Sequence, residues 1–288
     1  MKVLVTGGDG MLAKAIRNID QDFELELIFC NKTDLDITNL DCVLLYLREN
    51  RFEVIINCAA YTNVEQAESN VELAYAVNTI GAKNIALAAN EINACLIHIS
   101  TDAVYDGKKN NVYQESDICN PLSVYSKSKY AGEVEILKYC KSGIIIRTSW
   151  LYSLDKDNFV TAIIKKARTN GNLKVVFDQL GTPTYTYDLA KAILHIAKSN
   201  KIIPYSPIEI YHYSNEGAIS WYDFAVNICK ILGIDVSIDP IMSDQYPSKV
   251  VRPFHAILSK EKIKTAFELV IPYWLNSLEE CLLSHGNL

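Results

Sequence analysis

The chain has 288 residues, 49% of them hydrophobic and 22% charged, with a formal net charge of −6. This apolar content excludes wholesale disorder and suffices for one large domain, or one domain with a smaller lobe. The acidic balance argues against a nucleic-acid partner, whose phosphates ask for a basic face, and no apolar run reaches the ~18 residues of a membrane span.

The sequence opens directly on the strand-like Lys2-Val3-Leu4-Val5, with no charged leader or cleavage site ahead of it, which predicts a soluble, cytoplasmic protein. Short runs that are apolar throughout recur at Val3–Val5, Leu25–Phe29, Val54–Ile56, Cys95–Ile99 and Ile144–Ile146. Strands covered on both faces read this way. Between them the spacing predicts helices near 11–19, 39–50, 65–76, 79–92 and 123–139, the first with Met11, Leu12, Ala15, Ile16 and Ile19 at helical intervals. The alternation predicts an α/β fold, a Rossmann-type doubly wound parallel sheet. After about residue 150 the pattern loosens into a helix near 157–168, a strand near Val175–Phe177, a helix near 186–199, a strand over Ile208–Tyr213 and a helix near 221–232 capped by Ser220. Pro204, Pro207, Pro240, Pro247, Pro253 and Pro272 break up the remainder. The expectation is a dinucleotide-binding domain over residues 1–150. A smaller mixed α/β C-terminal substrate lobe over 151–288 then sits above the sheet's C-terminal edge, with some segments returning to the sheet.

The eight cysteines include no Cys-x-x-Cys pair, and several lie in apolar runs, so they read as buried reduced thiols rather than a disulfide framework or zinc site. His98, His195, His212, His255 and His285 are scattered, and no metal site is predicted. The acidic stretch Glu65–Glu72 reads as a solvated helix face.

After the first strand comes Thr6-Gly7-Gly8-Asp9-Gly10-Met11-Leu12-Ala13, a Gly-x-x-Gly-x-x-Ala turn that opens the first helix. Gly7 suits the tight turn, Gly10 lets a pyrophosphate approach the backbone, and Ala13 is small enough for close helix–strand packing. The helix N-terminus offers free amides and partial positive charge, so Gly7, Gly10, Met11 and Leu12 are candidate cofactor contacts. At the end of the second strand, where an acidic residue would favour NAD, the chain has Cys30-Asn31-Lys32-Thr33; Asn31 or Lys32 suits a 2′-phosphate and leans to NADPH, with NADH as the alternative. Asp36 and Ile37 follow in a segment within reach of the adenine, unless Asp36 serves as a helix N-cap.

The sharpest feature is Tyr125-Ser126-Lys127-Ser128-Lys129, preceded by Pro121, which suits the first turn of a helix. Tyr125 and Lys129 stand at i and i+4 on one helix face. A free tyrosine has a pKa of about 10, too high for a proton relay near neutrality, and an adjacent ammonium would lower it. Taken alone, Tyr-x-x-x-Lys is common on solvated helices. Here the fourth strand also runs into Ser100-Thr101-Asp102, at the edge where open sheets bind ligands, and a hydroxyl there can hold a carbonyl oxygen beside the tyrosine.

With these motifs the chain resembles the extended short-chain dehydrogenase/reductases, and among them the dTDP-4-dehydrorhamnose reductase family. Further support comes from Asn57-Cys58-Ala59-Ala60-Tyr61-Thr62, Glu65-Gln66-Ala67-Glu68, Arg147-Thr148-Ser149-Trp150, Asp178-Gln179-Leu180-Gly181-Thr182-Pro183-Thr184 and Arg252-Pro253. The resemblance implies a reductase of the 4-keto group of a dTDP-linked 6-deoxy sugar, with NADPH as hydride source and no nucleic-acid or membrane partner; it is compatible with a homodimer. It implies that Tyr125 protonates the sugar oxygen, Lys129 binds the nicotinamide ribose and tunes Tyr125, and Thr101 bonds the reacting oxygen. Thr101, Asp102 and Trp150 would line the sugar site, and Ala59, Ala60, Tyr61 and Thr62 the cofactor. The chain departs from the family at Ala103, where an aromatic is usual, at Ala13 in place of a third glycine, and at Phe254-His255-Ala256 in place of a polar pair. Two other readings stand beside this one. A related epimerase would retain tightly bound NAD, whereas a dehydratase would need a glutamate where Ala103 stands. A non-catalytic subunit resembling the regulatory subunit of methionine adenosyltransferase would share the fold.

Overall fold

The computed structural model describes residues 1–19, 25–169, 171–199, 207–248 and 250–283; Pro204 and His285 lie outside them. In chain order the first elements are β1 (Lys2–Thr6), α1 (Met11–Ile19), β2 (Glu26–Cys30), α2 (Leu40–Asn50), β3 (Val54–Asn57), α3 (Val64–Ala67), α4 (Val71–Tyr75), α5 (Ala82–Ile92), β4 (Cys95–Thr101), α6 (Val124–Tyr139) and β5 (Gly143–Thr148). Then follow β6 (Leu151–Tyr152), α7 (Phe159–Thr169), β7 (Asn172–Val176), β8 (Leu180–Gly181), β9 (Thr184–Tyr185), α8 (Thr186–Lys198), β10 (Glu209–Tyr213), β11 (Ile219–Ser220), α9 (Trp221–Ile231), β12 (Ser237–Ile241), α10 (Glu261–Phe267) and α11 (Trp274–Leu283).

Six strands pair in parallel in the order β10-β5-β4-β3-β1-β2. The apolar runs are continuous because the sheet is covered twice. Successive residues of each strand enter opposite cores: Val3, Val5, Val54, Ile56, Ile97 and Ile146 face α1, α8 and α10. Leu4, Ile55, Leu96 and Ile145 face α2, α5 and α6. The expected α/β, Rossmann-type doubly wound sheet is therefore present. The order reverses at β1, with β2 on one side and β3 on the other, and this opens a crevice beyond their C-terminal ends.

Residues beyond 150 serve two cores. β10 extends the main sheet beside β5, and α8 packs on α1 through Leu189, Ile193 and Ile196. A separate cluster, centred on Tyr152, Val160, Phe224, Ile228 and Leu278, holds α7, α9 and α11 around the parallel pair β7–β12. Ser220 caps α9 as expected: its Oγ accepts from Asp223 N, and Asp223 returns the bond to Ser220 N. No helix of the described residues is long and apolar enough to cross a membrane. All eight cysteines are free thiols; five are buried, Cys58 and Cys119 are half-buried, and Cys42 is exposed.

The helices expected at 65–76 and 79–92 break elsewhere. The interruption falls between α3 and α4, and the chain then runs without a stop from α4 through a π-helical stretch, Ala76–Gly81, into α5. Asn78 explains the widened turn. Its side chain accepts from Tyr61 N and donates to Tyr61 O and to Ser128 Oγ of α6, so the helix swells by one residue to face two neighbours. Pro121 also lies outside the helix it was expected to start. Ser123 is the N-cap of α6, in a capping box with Ser126. α6 approaches the π-helical stretch closely enough that a Cβ at Gly132 would sit 2.1 Å from Asn78 O. Gly132→Ala is therefore expected to lower stability by about 1–3 kcal/mol through overpacking. The effect is read as a lower urea midpoint at unchanged m-value.

Candidate active site

The glycine turn closes on backbone bonds. Gly8 N donates to Cys30 O at 2.9 Å and Gly10 N to Gly7 O at 2.8 Å. Gly7 has φ +67°, and a Cβ there would lie 2.8 Å from Ala59 N and Cα, so it serves both the turn and the close approach of the chain leaving β3. At Gly10 a Cβ would meet only Gly7 O, at 3.1 Å, which leaves the backbone open on that side. α1 begins at Met11, and Ala13 is fully buried against the sheet. The turn thus presents the first-turn amides of α1 at the C-terminal end of β1, beside Ala59 just beyond the end of β3. Gly8, which the motif left without a role, is also constrained: a Cβ there would come within 3.3 Å of Cys30 C and O.

Beyond β2 the Asn31 Oδ1 accepts from Thr33 N, Thr33 Oγ1 and Asp34 N, and the Asp34 carboxylate accepts from Asn31 N. The loop is tied to itself, with the Lys32 side chain exposed. Asp36 is not a helix N-cap. Its carboxylate accepts from Thr38 N and Oγ1, bonds that hold its pKa below the ordinary value, and Asn39 caps α2 instead. Ile37 is buried beneath Gly81, and its carbonyl accepts from Asn84.

Thr101, Tyr125 and Lys129, the candidate catalytic residues, lie at the end of β4 and in the first turns of α6. Thr101 ends β4, pairs with Thr148 of β5, and caps the short 3₁₀ turn Asp102–Val104 by accepting from Ala103 N. Its hydroxyl also bonds Asp102 Oδ1 at 3.2 Å, and Thr101 is near enough to Tyr125 to act on the acidity of the phenol. Lys129, one turn along α6 and 2% exposed, donates to Ile99 O at 2.7 Å and lies 3.4 Å from His98 Nε2. The electrostatics differ from the expectation that Lys129 lowers the Tyr125 pKa. Burial pushes Tyr125 up to about 12, Thr101 offsets this in part, and Asp102 adds to the rise. Lys129 is itself brought down to about 8 by burial, against the opposing pull of Glu133 and Cys58. Tyr125 is thus a protonated phenol throughout the neutral range, which suits a donor rather than a base.

One turn beyond Lys129, Glu133 is wholly buried and takes Arg147 of β5 in a two-pronged bond, Nη2 at 2.6 Å and Nε at 3.0 Å, with Ser100 Oγ also donating to it. Arg147 Nη1 reaches Tyr105 Oη at 2.7 Å. The acidic segment 65–72 is more than a solvated face. Glu68 accepts from Val124 N and so helps cap α6, while Glu65 accepts from Ser248 Oγ and lies 3.7 Å from Arg252. Neither role is visible in local charge pattern, because both partners come from distant parts of the chain.

Trp150 follows β5 with φ +45°, a conformation rare for a bulky residue, and its indole stacks on Trp221 at 3.5 Å between centroids. Gly181 lies beneath it, since a Cβ there would be 2.7 Å from the ring. These indoles, with Phe159, Lys166, Lys174 and Arg252, line a cleft of about 840 Å³ that Thr62 also borders. The Arg252–Pro253 segment is packed on Gly107, which has φ +73° and would place a Cβ 2.6 Å from Pro253. A cavity of about 720 Å³ beside Val54 and Cys95, the first residues of β3 and β4, lies at the opposite edge of the sheet and holds none of these groups. Among the described residues no cluster of His, Cys, Asp and Glu could hold a metal ion.

The family model described as RmlD substrate binding domain matches residues 1–286. A dTDP-4-dehydrorhamnose reductase of Aggregatibacter actinomycetemcomitans is 38% identical over 287 residues, covering 96% of this chain and 97% of that protein. Among solved structures, a dTDP-4-dehydrorhamnose reductase of Clostridium acetobutylicum matches with TM-score 0.92 at 38% identity, covering 98% of each chain. Another from Bacillus anthracis, in complex with NADP, matches with TM-score 0.91 at 34% identity, covering 98% of this chain and 99% of that one.

Burial raises the Asp102 carboxyl to about 7, despite bonds from Thr101 and Ala103 that favour its charged form. Ionising it in the folded protein therefore costs stability, increasingly from about pH 4 to pH 7 and fully above that. Asp102→Asn is expected to be more stable than the parent at pH 8, by about 1–3 kcal/mol, and to show little difference at pH 4. Urea denaturation at the two pH values checks this; an equal effect at both would show that the charge is not its source.

Proposed function

Because the chain belongs to the RmlD substrate-binding-domain family, we propose that it reduces the 4-keto group of a dTDP-linked 6-deoxy sugar with NADPH, as a dTDP-4-dehydrorhamnose reductase in dTDP-L-rhamnose biosynthesis. The observation that carries this reading is the convergence at the open edge of the sheet of Thr101, which ends β4, with Lys129 of α6, anchored on Ile99 O at 2.7 Å one turn from Tyr125, a phenol that keeps its proton. The site fits a dinucleotide: Gly7 and Gly10 leave the crevice clear of side chains, and the α1 amides face it. When bound, the cofactor supplies a hydride to the carbonyl carbon. Thr101 and Tyr125 hold the carbonyl oxygen from two sides, and Tyr125 delivers its proton as negative charge develops there. Lys129, anchored on Ile99 O, binds the nicotinamide ribose and holds a positive charge beside the site. Asp102 and Trp150 border the sugar, and Ala59, Ala60, Tyr61 and Thr62 border the cofactor.

The cleft supports a nucleoside diphosphate sugar in particular. Trp150, Trp221 and Phe159 offer apolar walls, and Lys166, Lys174 and Arg252 offer cations for the diphosphate. Ala103 supplies no acid or base, which separates this site from a dehydratase's. Both reactants are soluble nucleotides, and we assign the reaction to the cytoplasm.

NADPH oxidation with the dTDP-4-keto-6-deoxy sugar tests the reading, with the product identified by NMR. Tyr125→Phe is expected to lower kcat at least ~100-fold while NADPH binding is kept. Folded protein that binds NADPH but turns over no keto-sugar would overturn the reading, and a retained nicotinamide absorbance after purification would favour an epimerase. Lys32→Ala is expected to raise KM for NADPH several-fold and leave that for NADH unchanged, because only the 2′-phosphate calls on its charge. Steady-state kinetics with the two cofactors measures it.

A further inference from the structure

His98 lies in β4 three residues before Thr101, and the chemistry proposed above leaves it unused. Its Nε2 stands 3.4 Å from Lys129 Nζ, and its Nδ1 3.0 Å from the side-chain amide of Asn57. Asn57 faces His98 through Nδ2, its Oδ1 accepts from Thr6 Oγ1 at 2.6 Å, and Thr6 Oγ1 accepts from Ala59 N at 3.3 Å. Thr6, Asn57, His98 and Lys129 are each no more than 2% exposed. They form an unbroken polar row beneath the site, running from the strand that carries the glycine turn, through β3 and β4, to the helix that carries Tyr125.

The charges determine how protons are arranged in this row. Burial and the adjacent Lys129 ammonium hold the imidazole well below its ordinary pKa, so it is neutral, with one donor and one acceptor nitrogen. An ammonium only donates, so the nitrogen facing it must accept. The proton then sits on Nδ1, which calls for the two ends of the Asn57 amide to be exchanged relative to the structure, its oxygen accepting from Nδ1 and its NH2 turned toward Thr6 Oγ1.

We propose that His98 is a positioning residue, a neutral imidazole whose Nε2 accepts from the Lys129 ammonium and whose tautomer is set by Asn57. The inference rests on the reductase reading. It makes the lysine's charge depend on a residue from another element. The groups bearing on Lys129 are Glu133 from α6, His98 and the Ile99 carbonyl from β4, and Cys58 beyond β3; Arg147 of β5 acts through Glu133, and Asp102 bears on Tyr125. Losing the imidazole removes a bond that favours the charged amine. The Lys129 pKa then falls, and the ammonium is lost at lower pH.

The test is the pH profile of kcat/KM for the full chain with NADPH and the keto-sugar. The parent is expected to lose activity as pH rises through about 8, where Lys129 gives up its proton. His98→Leu should move this limb down by about one pH unit and lower kcat at pH 7.5 about tenfold, whereas His98→Gln, whose amide oxygen can accept from the ammonium, should keep the limb within a few tenths of a unit. A limb unmoved in an active, folded His98→Leu protein overturns the inference and leaves the reductase reading intact; an inactive parent overturns the reductase reading. If His98→Leu does not fold, ¹⁵N NMR of the parent decides. An unprotonated Nε2 with protonated Nδ1 between about pH 5 and 8 supports the proposal, and a protonated Nε2 or a titrating ring overturns it.

Discussion

Glu133 carries a carboxylate with no access to water, and the site is assembled around what that charge requires. Isolated, it would be intolerable; here Arg147 pairs with it in a two-pronged bond and Ser100 donates to it. Breaking such a buried pair costs about 3–5 kcal/mol, because the surviving charge has no solvent to turn to. The bond therefore determines how α6 sits on β4 and β5. Thr101 follows Ser100, Lys129 precedes Glu133 by one turn, and Trp150 comes three residues after Arg147. Thr101, Lys129 and Trp150 thus each stand within a few residues of Ser100, Glu133 or Arg147, and this bonded group fixes their mutual placement.

The same burial changes the division of labour between the tyrosine and lysine. On the helix surface the pair would be an activated phenolate with its counter-ion. In the protein, desolvation acts on both in opposite senses, raising Tyr125 and lowering Lys129. Such a site keeps an acid ready and holds a positive charge in reserve, an arrangement matched to reduction. Asp102 shows the cost of this environment: its carboxyl is retained in a place that disfavours its charge, as polar groups kept for function often are.

Much of the scaffold was legible because its signals are local. Strands covered on both faces read as unbroken apolar runs, and Val3, Leu4 and Val5 duly alternate between two cores. The glycine turn announced itself by spacing, and Ser220 by its position before an apolar helix. Local signals misled where a distant partner intervened. The spacing predicts a break between helices at 65–76 and 79–92, yet with Tyr61 and Ser128 to satisfy Asn78 the helix widens and continues. Glu65 and Glu68 looked solvated until Arg252, Ser248 and Val124 came within reach.

Sequence by itself determined the class of fold and the glycine turn, and it singled out Thr101, Tyr125 and Lys129 as candidates, because periodicity, glycine and a four-residue helical step are properties of the chain's own geometry. Tertiary structure alone decided the protonation of that site and the shape of the cleft. Whether a phenol keeps its proton depends on how much water the neighbouring elements exclude. Whether a histidine in β4 bears on Lys129 depends on the crossing of a strand and a helix some thirty residues apart in the chain. The cleft likewise joins Trp150, Trp221 and Arg252, which no local pattern could bring together. Desolvation and long-range contact have no signature in sequence spacing, and here they hold the Tyr125 phenol protonated and anchor Lys129, its neighbour on one helix face, on Ile99 O.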